Sequence, residues 1–378
     1  MGNAIVQSAT IQLKDQGGGV FGSVTPVSEN GITVTGTIGE GEVVVISKPS
    51  GGFGNSGPEK YFYEDFSNGV AGEDATLFTT SFDELHVSYP PEFVVDDVSG
   101  RLVARMFRQD TAGSENYQPC KAKWLNLGVI REAFKSFSVR VPPTKYFSGP
   151  GGGNSGTDAD YSSASSWKMD WLVGDNTINT NDLITASHIG NGQWTGGGNA
   201  LQLPGGGQLQ QFGTNPTWWK WGKWHRMTQW IKAGAVPEVD AGNMYTQIAN
   251  GEEAMTIFDT TPVIFATGAS PYSFKEYHIN GWAVGDATNN PNIEQHYKSI
   301  YLAVGDNAAA RVELSNDFPY LSGKKPSMCE APDVGWTDNE ITVTLHDGTG
   351  DVDLTKNTWA YITLPDNVTQ FSVQVVTV

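Results

Sequence analysis

The stretch 217-TWWKWGKWHRMTQWIKAG-234 gathers side chains that could hold a ligand. Trp218, Trp219, Trp221, Trp224 and Trp230 are five of the twelve tryptophans in the chain, and Lys220, Lys223, Arg226 and Lys232 stand among them. Indole rings stack on the apolar C–H faces of sugars, while Arg and Lys donate to hydroxyls and carboxylates. The island is also free of acid. From 183 to 237 there is no Asp or Glu, in a chain whose 23 cations against 41 acids give a net charge of −18. That combination suits an acidic polysaccharide. If WHRMTQWIK (224–232) is a strand, alternation sends Trp224, Arg226, Thr228, Trp230 and Lys232 to one face. His225, Met227, Gln229 and Ile231 then lie on the other, where Met227 and Ile231 fit a core between two sheets. The first face fits a groove, and Trp282 in NGWA is the further candidate for its lining. The competing reading is that the indoles fill interior gaps and the cations snorkel to solvent.

Catalytic groups are sparser. The histidines (His86, His188, His225, His278, His296 and His346) form no H-E-x-x-H or other ligand set, and His278 in EYHING is the best candidate base. Cys120 and Cys329 lack metal-type spacing; two structural thiols are expected, with a long-range disulfide as the alternative. The glycine runs in 148–166 and 190–208 contain no G-x-x-x-x-G-K-[ST], so they read as surface loops rather than phosphate cradles.

Strands must position all of this. Among 378 residues there are 45 glycines, 17% charged and 11% aromatic residues. With Thr- and Val-rich runs, that mix argues for an all-β protein of two or three domains. ITVTGT, with Ile32 and Val34, and VVVIS read as short antiparallel strands, and KPSGGFGNSGPEK (48–60) as a connection. Longer strands with wider loops follow: GRLVARMF (100–107), FKSFSVRV (134–141), SSWKMDWLV (165–173) and SIYLAVG (299–305). A single helical turn is expected near NNPNIEQHYKS (289–299), and the short-strand texture returns beyond Lys325.

Two resemblances organise the chain. SVTPVSENGITVTGT at the front resembles the opening half of an immunoglobulin-like IPT/TIG domain, and GWTDNEITVTL, WAYITLP and FSVQVV resemble its closing half. The usual G-F-G is delayed to Gly52-Phe53-Gly54. The middle resembles the concanavalin A-like jelly-roll superfamily through YFYEDF, SGRLVARM, SSWKMDWLV, KWHRMTQWIKAG, NGWA and KSIYLAVGDNAAARVEL. The implied fold is all-β: a concanavalin-like jelly roll (60–317) inserted into an Ig-like sandwich whose halves are 1–55 and 325–378. Two independent Ig-like modules are the alternative.

The superfamily contains lectins and polysaccharide enzymes, so the resemblance supports fold better than function. Its lyases use strand motifs of the type R-x-E-x-R, Q-[IV]-H and Y-F-K-A-G. Here RLVAR (101–105) has no Glu between its arginines, WIKAG (230–234) keeps only K-A-G, and Q-I-H does not occur. A glycosidase of this fold would carry carboxylates at E-x-D-x-x-E spacing, which neither Glu252-Glu253 nor Asp96-Asp97 has. No catalytic residue is therefore assigned. Folds of this kind can hold a structural calcium, for which Asp65 and Asp306 are the candidates; no other cofactor is expected.

The expected role is a non-catalytic structural or adhesion protein facing a glycan or cell-surface polysaccharide, with a polysaccharide lyase or secreted binder of acidic glycans as the rival. The acidic charge makes nucleic acid a poor partner, and no apolar run is long enough for a membrane helix. MGNAIVQSATIQLKDQ has neither a basic n-region nor an apolar h-region. Ig-like and lectin-like modules without an export signal, and almost without cysteine, resemble the decoration and adhesion proteins of tailed bacteriophage virions. That setting implies assembly in host cytoplasm, other virion proteins as partners and compatibility with a homo-oligomer; an extracellular setting is the alternative.

Overall fold

The structure is a computed structural model. It describes residues 12–14, 20–23, 32–48, 52–54, 57–73, 84–85, 91–107, 122–124, 127, 130–140, 142, 166–174, 184–190, 194–202, 208–211, 222–232, 242–252, 254–263, 274–284, 294–317, 327–330, 335–367 and 370–376. Among them every regular element is a strand, so the chain is all-β. The helical turn expected near 289–299 is corrected over 294–299, and 289–293 lie outside the described residues. Glu294–Val304 is an extended strand of 11 residues, buried from Gln295 onward on both faces, so it lies between layers rather than on a surface turn.

Two broad antiparallel sheets form the large unit. In the first, the order is Ala254–Val263, Gly242–Ala249, His225–Lys232, Glu132–Arg140, Glu294–Val304, Leu102–Phe107 and Glu92–Val95, with Lys60–Glu64 also pairing on Glu294–Val304. The second runs Gln208–Gln211, Trp194–Gln202, Ile184–Gly190, Ser166–Gly174, Phe274–Val284, Ala122–Trp124 and Glu84–Leu85. The chain passes repeatedly from one sheet to the other, as a jelly-roll sandwich requires. Between the sheets, Tyr297 donates its hydroxyl to the Met169 carbonyl (2.7 Å). Phe62 stacks on Trp124 with centroids 5.1 Å apart, and Lys135 forms a fully buried ion pair with Asp170. The register Phe134↔Trp230, Ser136↔Thr228, Ser138↔Arg226 fixes which residues share each face. Met227 and Ile231 share the face of Lys135 and so point into this inter-sheet core.

The smaller unit draws on both ends of the chain. Val43–Ser47 pairs with Thr33–Ile38 on one side and with Glu340–Thr344 on the other, Ile46 facing Ile341 and Val44 facing Val343. Opposite lies a four-stranded sheet, Ser327–Cys329, Arg311–Ser315, Thr358–Thr363 and Gln370–Val376. One continuous core joins the two: Ile32, Val34, Val44, Ile46 and Phe53 pack with Val312, Leu314, Ile341, Val343, Ile362 and Val373. Burial of such side chains stabilises by about 1.5–3 kcal/mol each, which is why the halves cohere.

The run KSIYLAVGDNAAARVEL, expected to close the large sheet as a whole, is divided. After Val304 the chain turns through Gly305 (φ 86°) and Asn307 (φ 63°), and Arg311–Ser315 enters the small sandwich. A side chain at Gly305 would be strained and would meet the Glu59 carboxylate. Cys329 is a buried free thiol in the small core, whereas Cys120 lies outside the described residues.

Candidate functional site

The tryptophan face is covered. Trp224 is 3% exposed, Arg226 1% and Trp230 9%, leaving only Lys232 of the four strand residues open to solvent. The small sandwich is what lies on them. Met328 from its four-stranded sheet packs with Phe134, Trp230, Tyr301 and Ala303. Its loop 346–351 reaches over the rest: Asp351 takes bonds from Ser138 (2.7 Å) and Lys298 (2.9 Å), and Asp347 pairs with Arg101 (3.2 Å). The expectation of a solvent-facing groove at Trp224, Arg226 and Trp230 is corrected accordingly. A polar and aromatic face fits an interface with a second domain as well as it fits a sugar.

Each side chain on that face has a structural partner. The strand Glu294–Val304 bulges at Ser299, whose φ of 53° is left-handed. Arg226 donates to the carbonyl (2.7 Å) and hydroxyl (3.0 Å) of that residue, bracing the bulge. Trp230 donates through Nε1 to Glu132 (3.0 Å), which also pairs with Lys232 (2.7 Å). Lys223 pairs with Glu252. Two of the island's cations thus find acids outside it, Lys232 at Glu132 and Lys223 at Glu252.

Asp96 is the hub at one end of the face. It is fully buried and accepts from Ser99 N–H (2.7 Å), Arg140 (2.5 Å) and Trp224 Nε1 (3.0 Å), with His296 Nδ1 at 3.2 Å. Burial alone would raise its pKa. The hydrogen bonds from His296, Ser99 and Trp224 outweigh burial and hold the carboxyl well below the usual range. A depressed carboxylate stabilises the fold above its unfolded pKa, and the contribution is lost as pH falls through the lower, folded value. Asp96→Asn should therefore be less stable than the parent at neutral pH, with the gap closing only below about pH 4. Melting curves of both proteins from neutral to acid pH would check this; a gap already closed well above about pH 4 would overturn it.

A second cluster forms where the sandwiches meet. Glu40 comes from the turn between Thr33–Ile38 and Val43–Ser47, Asp65 follows Lys60–Glu64, and His346 follows Glu340–Thr344. One ligand atom from each lies within 4.8 Å of the others. His346 Nδ1 is 3.0 Å from Glu40 Oε1 and 3.8 Å from Asp65 Oδ2, and its ring stacks on Tyr63 at 4.1 Å. Burial would lower the imidazole pKa, but the Glu330 and Glu40 carboxylates raise it to about 9. Asp306 is not part of the cluster; its N–H donates to Glu59 at 3.1 Å. No spacing in the sequence announces this constellation, because its members come from three distant segments.

The remaining sequence candidates lie elsewhere. Trp282 sits in Phe274–Val284 of the second large sheet, opposite Lys168, and its side chain is outside the described residues. It therefore does not share a sheet with Trp230. His278 is on the same strand, 7% exposed, with Nε2 2.7 Å from Glu276. Trp218, Trp219, Lys220 and Trp221 fall outside the described residues.

No family model matches the chain, and no curated protein matches it. Among solved structures it is similar to an alginate lyase from Aplysia kurodai, at 8% identity over 66% of this chain and 100% of that one, with a TM-score of 0.44. An alginate lyase from a Chlorella virus is similar at 10% identity, over 59% of this chain and 92% of that one (TM-score 0.41). Basic winged bean lectin, solved with Tn-antigen, is similar at 9% identity, over 65% of this chain and 99% of that one (TM-score 0.38).

Proposed function

We propose that the chain is a non-catalytic structural or adhesion protein whose concanavalin-like jelly roll faces a glycan and whose Ig-like sandwich, built from both ends, braces it. One observation carries the non-catalytic part. The small sandwich sits on the face that carries Arg226 and Trp230, and the titratable groups there are engaged in ion pairs and hydrogen bonds. A lyase needs a base and a carboxylate-neutralising cation that substrate can reach. The glycan part rests on the sequence resemblance.

The finer proposal is that the protein serves in a virion, next to other virion proteins. Two cysteines in 378 residues and two stacked β-sandwiches support that setting. Mass spectrometry of purified particles from the source organism is its direct test.

The rival is a lyase acting on acidic polysaccharide. Incubating the full chain with alginate and following ultraviolet absorbance of unsaturated product separates the two. The expected result is glycan retention on an array with no growth of absorbance. Steady growth, lost on His278→Ala, would replace this proposal with the lyase.

A further inference from the structure

We infer that Glu40, Asp65 and His346 form a binding site for a divalent transition metal of the zinc class, which ties the small sandwich to the large one. The inference is independent of the glycan reading.

The donors are already aimed. Each carboxylate has one oxygen held by backbone and the other turned toward the imidazole. Glu40 Oε2 accepts from Asp347 N–H while Oε1 lies 3.0 Å from His346 Nδ1. Asp65 Oδ1 accepts from Ser67 N–H (2.9 Å) while Oδ2 lies 3.8 Å from the same nitrogen. Tetrahedral zinc, with bonds of about 2.0–2.2 Å, wants its donors about 3.3–3.5 Å apart. The two separations from Nδ1 bracket that value, and all three donor atoms lie within 4.8 Å of one another.

The ring itself supplies an independent sign. His346 is 8% exposed, yet its Nε2 has no hydrogen-bond partner. The nearest acceptor is Glu330 Oε2, at 3.8 Å. A metal-ligating histidine characteristically gives its other ring N–H to a carboxylate, which fixes the tautomer and ring plane. With the ion on Nδ1, Nε2–H faces Glu330 in that role, and Tyr63 stacked at 4.1 Å holds the plane. Glu40, with a third of its side chain exposed, is the open side through which an ion and its waters can enter.

The donor set also selects among ions. Calcium prefers about 6–8 oxygen ligands, whereas here a nitrogen is the central donor and two carboxylates converge on it. Imidazole with carboxylate suits zinc, or manganese and cobalt more weakly.

The test uses the full chain stripped with EDTA. Titration calorimetry with zinc chloride should show one strong site, and zinc should raise the melting temperature. Glu40→Gln and Asp65→Asn should each weaken that site at least tenfold. Glu330→Gln, away from the ion, should weaken it less while leaving the stoichiometry at one. Glu40→Gln and Asp65→Asn also weaken contacts with His346, so each variant is melted in EDTA and in zinc. Loss of the zinc-induced rise, rather than the metal-free melting temperature, separates lost binding from lost folding. Cobalt should give visible absorption bands that vanish in His346→Gln. Zinc binding unchanged in Glu40→Gln and Asp65→Asn would overturn the assignment, as would stabilisation by calcium but not by zinc.

Discussion

Trp230→Ala should lower the stability of the protein by about 3–5 kcal/mol, the range for truncating a large buried aromatic. The indole is 9% exposed and packs with Phe134, Tyr301 and Met328 where the two sandwiches meet. Truncation opens a cavity there and removes the bond from Nε1 to Glu132. Glu132 would keep its contacts to Lys232 and to Ala309 N–H (3.3 Å), so the cavity dominates the loss. Trp230→Phe should cost less, since it keeps most of the apolar volume and gives up a hydrogen bond to a carboxylate, worth about 1.5–3 kcal/mol. Denaturant titration followed by two probes, one for each sandwich, would measure both and reveal any separate transitions. A loss under about 0.5 kcal/mol for Trp230→Ala would mean an open face and restore the groove.

Asp170→Ala should be comparably damaging for a different reason. Lys135 and Asp170 are 2% and 0% exposed and hold each other between the two large sheets, with Lys135 Nζ 5.7 Å from the Tyr277 ring centroid. Burial lowers the lysine pKa, and the aspartate only partly restores it. Removing the carboxylate strands a cation in the sandwich interior, which typically costs about 3–5 kcal/mol. Replacing both partners is another matter. The double variant Lys135→Met, Asp170→Leu should be near the parent or more stable, because no charge is left to desolvate. Equilibrium unfolding of the single and double variants completes a cycle. A double variant as unstable as Asp170→Ala would assign the pair a packing role that apolar residues cannot fill.

What the sequence disclosed was periodicity. Alternation in 224–232 correctly sorts Met227 and Ile231 from Trp230 and Arg226, because a strand's side chains have a period of two whatever lies above them. It is silent on what lies above them. Arg226 bonds to Ser299, Trp230 to Glu132, and Lys298 to Asp351, and each partner comes from another strand or the other sandwich. Nor does the acid-free island show that Lys232 and Lys223 are balanced by Glu132 and Glu252, because charge balance in a fold is set by neighbours and not by sequence proximity. Glu294–Val304 misled through local composition, since the Asn and Pro residues just before it favour a turn while burial on both faces dictates a strand. The cluster of Glu40, Asp65 and His346 left no trace in spacing at all.

The pairing of Val43–Ser47 with Glu340–Thr344 has a consequence for the order of folding. A ribosome delivers the first of these strands long before the second, so the small sandwich cannot close until Glu340–Thr344 has emerged. Joining them through an unfolded loop of that length is entropically unfavourable, although each doubling adds only about 0.6 kcal/mol. The large sandwich removes most of that burden once it has folded, because its first and last strands lie side by side, Lys60 opposite Val304. It then delivers the two halves to one place. Until that moment Trp230 and its neighbours lack their cover, so a nascent or truncated chain would present a sticky aromatic sheet to chaperones and to other copies of itself. Closure of the small sandwich is thus a late checkpoint, passed only by chains that have reached the strand Gln370–Val376.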